Sequence, residues 1–173
     1  EMSRQINLKD ATAISLGNLG VLYGLRGRAS AALKSLEEGI AVAREIDFKT
    51  AVTEFALKKA AILLELNRGE EAAALLAEAE KWVRETENRE QEADVEVLRG
   101  RLRLLREDRT GARQAFARAL PLARESGSKV SLLNARIASG AAATGAGVAA
   151  LGEALEDAEA LGHALLTIEA AEA

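Results

Sequence analysis

The residues that could bind a metal or phosphate, or act as a catalytic acid or base, lie mostly in the last third of the 173-residue chain. His163 is the only histidine, so a metal site built on two histidines is not possible within one copy. Four carboxylates at helical spacing would suit a cation site, a general acid and base, or a solvated helix face: Glu153, Glu156, Asp157 and Glu159. The solvated face is the favoured interpretation. The stretch GAGVAALG lacks the spacing and the lysine of a phosphate-binding loop and is read as a turn. The sequence therefore predicts no catalytic residue, no metal and no cofactor.

Composition excludes several classes of partner. The net charge is −4 with acids and bases interspersed, which argues against a general nucleic-acid surface. Aromatic residues make up 3%, so Tyr23 and Trp82 are predicted to pack between helices rather than to stack on bases. No apolar run is long enough to cross a bilayer, so no membrane partner is expected. The absence of cysteine fits a reducing compartment, and a cytoplasmic location is predicted.

The elements that position these residues follow a repeat of 40 residues. Arg-Glu pairs begin at Arg44, Arg84 and Arg124, and Arg4 is one step earlier in the same phase. Other columns keep the same phase. They comprise small residues (Gly20, Ala60, Gly100, Gly140), alanines (Ala32, Ala72, Ala112), large apolar residues (Leu36, Leu76, Phe116) and bases (Lys9, Lys49, Arg89, Lys129). The small residues are expected where two helices approach closely. The Arg-Glu pairs are read as an exposed edge at the ends of helices, with each glutamate facing a base on the next unit or after the loop.

Breaks between the apolar faces predict paired helices. Gly27, Asn67-Arg68-Gly69 and Glu107-Asp108 are turn or cap residues. Helices are expected over 10–26, 28–46, 49–66, 69–86, 89–106, 110–125, 129–143 and 148–161. These pair into units at 10–46, 49–86, 89–125 and 129–161, the last of them two residues out of phase. Residues 1–6 are interpreted as the tail of a preceding repeat and 163–173 as a further helix or cap, within a chain cut from a longer protein.

The stretches LGNLGVLY and AALKSL resemble the tetratricopeptide repeat. Leu16 stands where that family has tryptophan, Leu19-Gly20 and Tyr23 match its pattern, and Ala32 with Leu36 fits its second half. The family repeat has 34 residues and a proline near the end of its second helix, whereas this chain has Arg44, Arg84 and Arg124 at that place. The chain is therefore similar to the longer variant found in kinesin light chains, Leu-Gly-Asn repeat proteins and bacterial ATP-dependent transcription activators.

The resemblance implies an all-α fold, a right-handed α-α superhelix (solenoid) of antiparallel helix hairpins. In that family the first helices of the units line a concave surface. Carried over by repeat phase, this surface is predicted to hold a protein or an extended peptide through nine residues: Ile14, Asn18, Val21, Glu54, Lys58, Asp94, Leu98, Arg101 and Asn134.

Three classes of function remain open at this stage. The first is a protein- or peptide-binding scaffold. The second is a sensor or self-assembly segment of a larger bacterial signalling or transcription-regulatory protein, with self-association through the repeat ends. The third is an enzyme, for which the residues offer no support.

Overall fold

The computed structural model describes residues 2–142, and the side chains of residues 8–142. This part of the chain holds seven α-helices and no strand. They are α1 (Met2–Leu25), α2 (Ala29–Glu45), α3 (Lys49–Glu65), α4 (Gly69–Thr86), α5 (Arg89–Leu105), α6 (Arg109–Ser126) and α7 (Lys129–Ala142). The all-helical prediction is confirmed for these residues, while 148–161 and 163–173 lie outside them.

Helix bounds agree with the sequence-based bounds to within one or two residues, with one exception. Helix α1 begins at Met2 and runs without interruption to Leu25, so the break expected before Asp10 is not formed. Residues 2–6 are therefore continuous with α1, and their interpretation as the tail of a preceding repeat stays a prediction. No glycine or proline lies between Met2 and Leu16, so the local sequence permits the helix to continue.

Each turn between helices contains one residue with a left-handed backbone, and these residues recur every 20 positions. They are Gly27, Asp47, Asn67, Glu87, Glu107 and Gly127, with φ between +50° and +72°. At Gly27, the N–H of the following residue, Arg28, donates to the Tyr23 carbonyl at 2.9 Å, and the Gly27 N–H donates to the Gly24 carbonyl at 2.9 Å. This is the Schellman arrangement, which satisfies the last carbonyls of a helix. The same bonds recur at Asp47, Asn67 and Glu107.

The described part of the chain forms two compact units, which divide between Glu87 and Asn88. In the first unit α1 packs on α2, α2 on α3 and α3 on α4, and α1 also touches α3. Lys9 in the first part of α1 pairs with Glu45 at the end of α2, so these two helices run antiparallel. The core of this unit includes Ala13, Leu36 and Phe55, with Tyr23 and Trp82 packed against it. The packing role predicted for the two aromatic residues is confirmed.

In the second unit α5 packs on α6, and α7 packs on both. Its core gathers Val97, Phe116 and a series of alanines from α5, α6 and α7. Asn88 and Asp108 cap α5 and α6, because their side chains accept from the N–H groups of Gln91 (3.1 Å) and Gly111 (2.8 Å).

The small-residue column is buried, and its glycines Gly20 and Gly100 lie at close contacts between helices, as predicted. Gly20, Ala60 and Gly100 are all buried. A Cβ at Gly20 would lie 2.6 Å from Cγ of Leu36 on α2, and a Cβ at Gly100 would overlap the Phe116 ring on α6. At these two glycines, the first helix of the pair therefore presents bare backbone to a large apolar side chain of the second.

Candidate functional site

The predicted peptide-binding residues of the first unit lie on the accessible faces of α1 and α3. Ile14, Asn18 and Val21 follow one another at steps of four and three residues, so they share one side of α1. Ile14 and Asn18 are exposed and Val21 is half-buried. Glu54 and Lys58 are exposed on α3, one turn apart. These five residues offer two apolar side chains, one amide and one charge of each sign.

A glycine contact positions α1 against α3. The Phe55 ring occupies the space that a Cβ at Gly17 would need. Farther along the same pair, a Cβ at Gly24 would lie 3.5 Å from Cδ1 of Ile62. Because Gly17 lies between Ile14 and Val21, this contact brings that stretch of α1 beside the stretch of α3 that carries Glu54. The two sets of predicted residues therefore belong to neighbouring helices.

The charges of Glu54 and Lys58 are not engaged by other described residues. Neither side chain forms an ion pair or hydrogen bond within residues 8–142. The adjacent Lys59 differs, because it pairs with Glu37 on α2 and its side chain is only 20% exposed. Burial lowers the pKa of Lys59 below its ordinary value. Lys59 therefore joins α3 to α2, while Lys58 remains able to meet a ligand.

The predicted residues of the second unit are less accessible. The Ser131 hydroxyl donates to the Asp94 carboxylate at 3.3 Å, which links α7 to α5. Leu98 is 6% exposed and belongs to the buried side of α5. Arg101 and Asn134 are half-buried. Leu98 is thus a packing residue in this chain, and the accessible part of the predicted surface lies mainly in the first unit.

In each of three hairpins, an ion pair joins a glutamate at the end of the second helix to the first part of the first helix. The partners predicted from the sequence for these glutamates were wrong. Lys9 Nζ lies 2.8 Å from Glu45, Lys49 Nζ 3.0 Å from Glu85, and Arg89 Nε 3.7 Å from Glu125. Each glutamate meets a base in the preceding helix, not one in the following unit or after the loop. The antiparallel hairpin is the reason, since it brings the end of its second helix beside the first part of its first.

In the second of these ion pairs, hydrogen bonding to Glu85 raises the pKa of Lys49. Lys49 Nζ also lies 5.3 Å from the centre of the Trp82 ring. The last turns of α2, α4 and α6 contain Arg44, Arg84 and Arg124, as expected. A positive charge at this end of a helix interacts favourably with the helix dipole.

Glu96 is a buried carboxylate that the sequence analysis did not single out. Arg99 Nη1 lies 2.7 Å from one of its oxygens, and Arg118 Nε and Nη2 lie 3.0 and 2.8 Å from the other. Arg118 comes from α6, so this cluster ties α6 to α5. Both oxygens are taken by arginine, which leaves Glu96 a structural role. Its signal in the sequence is a single acid between the apolar residues Val95 and Val97 of α5.

Exposed leucines on α1 are a second feature that the sequence analysis missed. Leu8, Ile14, Leu19, Leu22 and Leu25 are 38–69% exposed, and they account for five of the eight large exposed apolar side chains of the described residues. The signal in the sequence is the absence of any charged residue from Ala11 to Leu25. A patch of this kind marks an interaction surface more often than an ordinary solvated face.

No cluster of metal-ligating side chains occurs within the described part of the chain. His163, the carboxylates Glu153 to Glu159 and the GAGVAALG stretch lie outside it. Among helices α1 to α7, none combines the length and the apolar character needed to cross a membrane.

Comparison with known proteins gave no assignment: no protein-family model matches the chain, and no curated protein matches it.

Proposed function

We propose that this chain is a protein- or peptide-binding scaffold of the long tetratricopeptide type, with a right-handed superhelix whose concave face is lined by the first helices of its units. The observation that carries the proposal is the paired surface of α1 and α3. There Asn18, Glu54 and Lys58 stand exposed beside Ile14 and Val21, and neither charge has a partner among the described residues.

The chemistry of this surface suits an extended peptide. The Asn18 amide both donates and accepts hydrogen bonds, as a peptide backbone requires. The Lys58 ammonium suits a carboxylate of the ligand, and Glu54 suits a base. Ile14 and Val21 supply apolar surface beside these polar groups. The Gly17–Phe55 contact fixes the two helices relative to each other, so that the surface is preformed.

Selection from a random peptide display library, followed by titration of a synthetic peptide, tests this proposal. Asn18→Ala and Lys58→Ala are each expected to weaken the selected peptide by about 1–3 kcal/mol, as lost buried hydrogen bonds do. Thermal melts should be nearly unchanged, because both side chains are exposed and make no contact that stabilises the fold.

Lys34→Ala is the matched control, since Lys34 is also an exposed lysine but lies on α2, where its side chain is 78% exposed. Its affinity for the peptide should equal that of the unaltered chain. Equal affinity of all three variants, or failure to enrich any peptide, would contradict a binding surface on α1 and α3.

Self-assembly is the second candidate function, and the exposed leucines of α1 favour it. The alternative expected from the sequence, a segment of a larger bacterial signalling or transcription-regulatory protein, includes this behaviour.

A further inference from the structure

The exposed side of α1 carries a stripe of residues at steps of three and four. Its members are Leu8, Ala11, Ser15, Asn18, Leu22 and Leu25, all of them exposed. This spacing is that of the two core positions of a coiled coil, where apolar residues of one helix insert between those of another. At ~1.5 Å per residue the stripe is roughly 26 Å long, enough for several layers of contact.

The stripe is self-complementary when its direction is reversed. In an antiparallel pair, the first core position of one helix meets the second core position of the other. Around a two-fold axis between residues 16 and 17, Leu8 then meets Leu25, Ala11 meets Leu22 and Ser15 meets Asn18. Large residues thus face small or apolar ones, and the two polar residues face each other.

The residues that flank the stripe also match, because a two-fold axis places the same side of the stripe together in both copies. Ile14 of one helix lies beside Val21 of the other, both of them apolar. On the opposite side of the stripe, Thr12 lies beside the exposed Leu19. No charge occurs from Ala11 to Leu25, so two copies would not repel each other across the axis.

We propose that two copies of this chain associate through α1, antiparallel and around a two-fold axis, with Ser15 and Asn18 of each copy joined across the centre. Ten large apolar side chains, five from each copy, leave water in this arrangement. The hydroxyl of Ser15 and the amide of Asn18 can satisfy each other, so the centre buries no unpaired polar group.

The face of α3 at the same phase shows why a second copy is a better occupant than a helix of the α2 type. On α3 the equivalents of Ser15 and Leu22 are Phe55 and Ile62, which lie against Gly17 and Gly24 of α1. The adjacent Lys59 pairs with Glu37 of α2. In α1 the equivalent of Lys59 is Leu19, so a helix with an acid in the place of Glu37 would leave that acid unpaired. The α1 face instead matches a neutral, leucine-bearing helix, which is its own composition.

Association through α1 would occupy part of the proposed peptide surface. Ile14, Asn18 and Val21 belong to both, whereas Glu54 and Lys58 belong to the peptide surface alone. The two proposals are separable, because the dimer does not depend on Lys58.

Sedimentation equilibrium of the full chain from about 1 µM to about 1 mM measures the association. We expect a monomer–dimer equilibrium. Leu22→Glu and Ala11→Lys should each weaken it by at least ~100-fold, since each symmetric interface buries the new charge twice. Leu66→Glu is the matched control, an exposed leucine on the first unit but outside α1. Helicity and melting temperature should be unchanged in all three variants.

Mixing the Leu22→Glu variant with the Ala11→Lys variant tests the register. In the antiparallel arrangement, the lysine introduced at position 11 of one copy faces the glutamate introduced at position 22 of the other, and the second Ala11–Leu22 contact keeps its original residues. The mixture should therefore recover dimer at concentrations where each variant alone is monomeric. Positions 11 and 22 are roughly 16 Å apart along one helix, at ~1.5 Å per residue, so no pair within one copy can produce this rescue.

A chain that stays monomeric at the highest concentration overturns the proposal. So does a Leu22→Glu variant that dimerises as well as Leu66→Glu, or a mixture no better than its components. A monomeric chain whose Leu22→Glu variant loses a selected peptide assigns the α1 face to peptide binding instead. Normal dimerisation of a Lys58→Ala variant that fails to bind peptide supports both interpretations separately.

Discussion

At the scale of single residues, the six left-handed turn positions differ in the conformational free energy that their positive φ costs. Gly27 and Gly127 accept φ near +70° without strain, whereas Asp47, Glu87 and Glu107 adopt positive φ with a Cβ present. This backbone costs a non-glycine residue about 1–2 kcal/mol. The hydrogen bonds of the Schellman turns hold Asp47 and Glu107 in place.

Gly27→Ala is expected to lower the free energy of unfolding by about 1 kcal/mol, because a Cβ there meets no other atom within 4 Å and only the backbone strain remains. Glu107→Gly, at the equivalent turn of a later hairpin, should instead raise it by up to about 1 kcal/mol. Urea denaturation of both variants checks the pair. Effects of the same sign would show that the turns are governed by side-chain contacts rather than by φ.

Asp108 gives a pH-dependent contribution. The Gly111 N–H, and after it Arg103, hold the pKa of its carboxyl below the ordinary value. A carboxyl whose pKa is lower in the folded than in the unfolded state stabilises the fold at pH values above its unfolded-state pKa of about 3.9. This contribution to the free energy of unfolding is lost as the pH falls through the folded-state pKa. The difference in melting temperature between the unaltered chain and Asp108→Ala should therefore narrow below about pH 4.

Asn88→Ala is the control for that experiment. Asn88 caps α5 through the same kind of bond, to the Gln91 N–H, but its amide does not titrate. Its effect on the melting temperature should stay constant with pH. A constant effect of Asp108→Ala over the same range would show that its charge does not matter.

At the scale of helices, packing rests on pairing a small residue with a large one. Gly100 faces Phe116, while the equivalent residues one repeat earlier are Ala60 and Leu76, all four of them buried. Each pair fills nearly the same space with a different combination of side-chain sizes. The size of one residue in a pair therefore limits the size of the other.

Gly100→Ala is expected to destabilise the chain by about 1–3 kcal/mol through overlap with the Phe116 ring, despite a gain in helix propensity of about 1 kcal/mol. Adding Phe116→Leu should recover part of this loss, since the double variant reproduces the Ala60–Leu76 combination. A double-mutant cycle in chemical denaturation should show coupling of about 1–3 kcal/mol. Additive effects would mean that the two residues do not share one space.

At the scale of the whole molecule, each compact unit has a core of its own. The core that includes Leu36 and Phe55 lies entirely within Glu1–Glu87. A fragment of residues 1–87 is expected to be helical and to unfold cooperatively, because it contains every residue of that core. Leu36→Ala in the fragment should cost about 2–5 kcal/mol, as truncation of a fully buried leucine does. Circular dichroism with urea checks both, and a gradual, featureless loss of helicity would contradict an independent core.

For residues 2–142, the sequence by itself determined the helices, their pairing into hairpins and most of their bounds. These depend on signals within a few residues: the apolar period, the turn residues around Gly27 and Asn67, and the small column at Gly20, Ala60 and Gly100. A 40-residue phase shows such signals three times, so errors at one turn are corrected by the others. The start of α1 was not predicted, because Arg4 fits the repeat as the end of a second helix while no glycine or proline interrupts the helix between Met2 and Leu16.

Only the tertiary structure decided what covers each helix face. Periodicity shows that Asn18 and Leu98 occupy equivalent positions of α1 and α5, yet Leu98 is buried and Asn18 is exposed. It shows a base and an acid in phase, but not that Glu45 meets Lys9, 36 residues earlier. The physical reason is that burial and pairing depend on which distant segment packs against a face, and a local pattern carries no record of that segment.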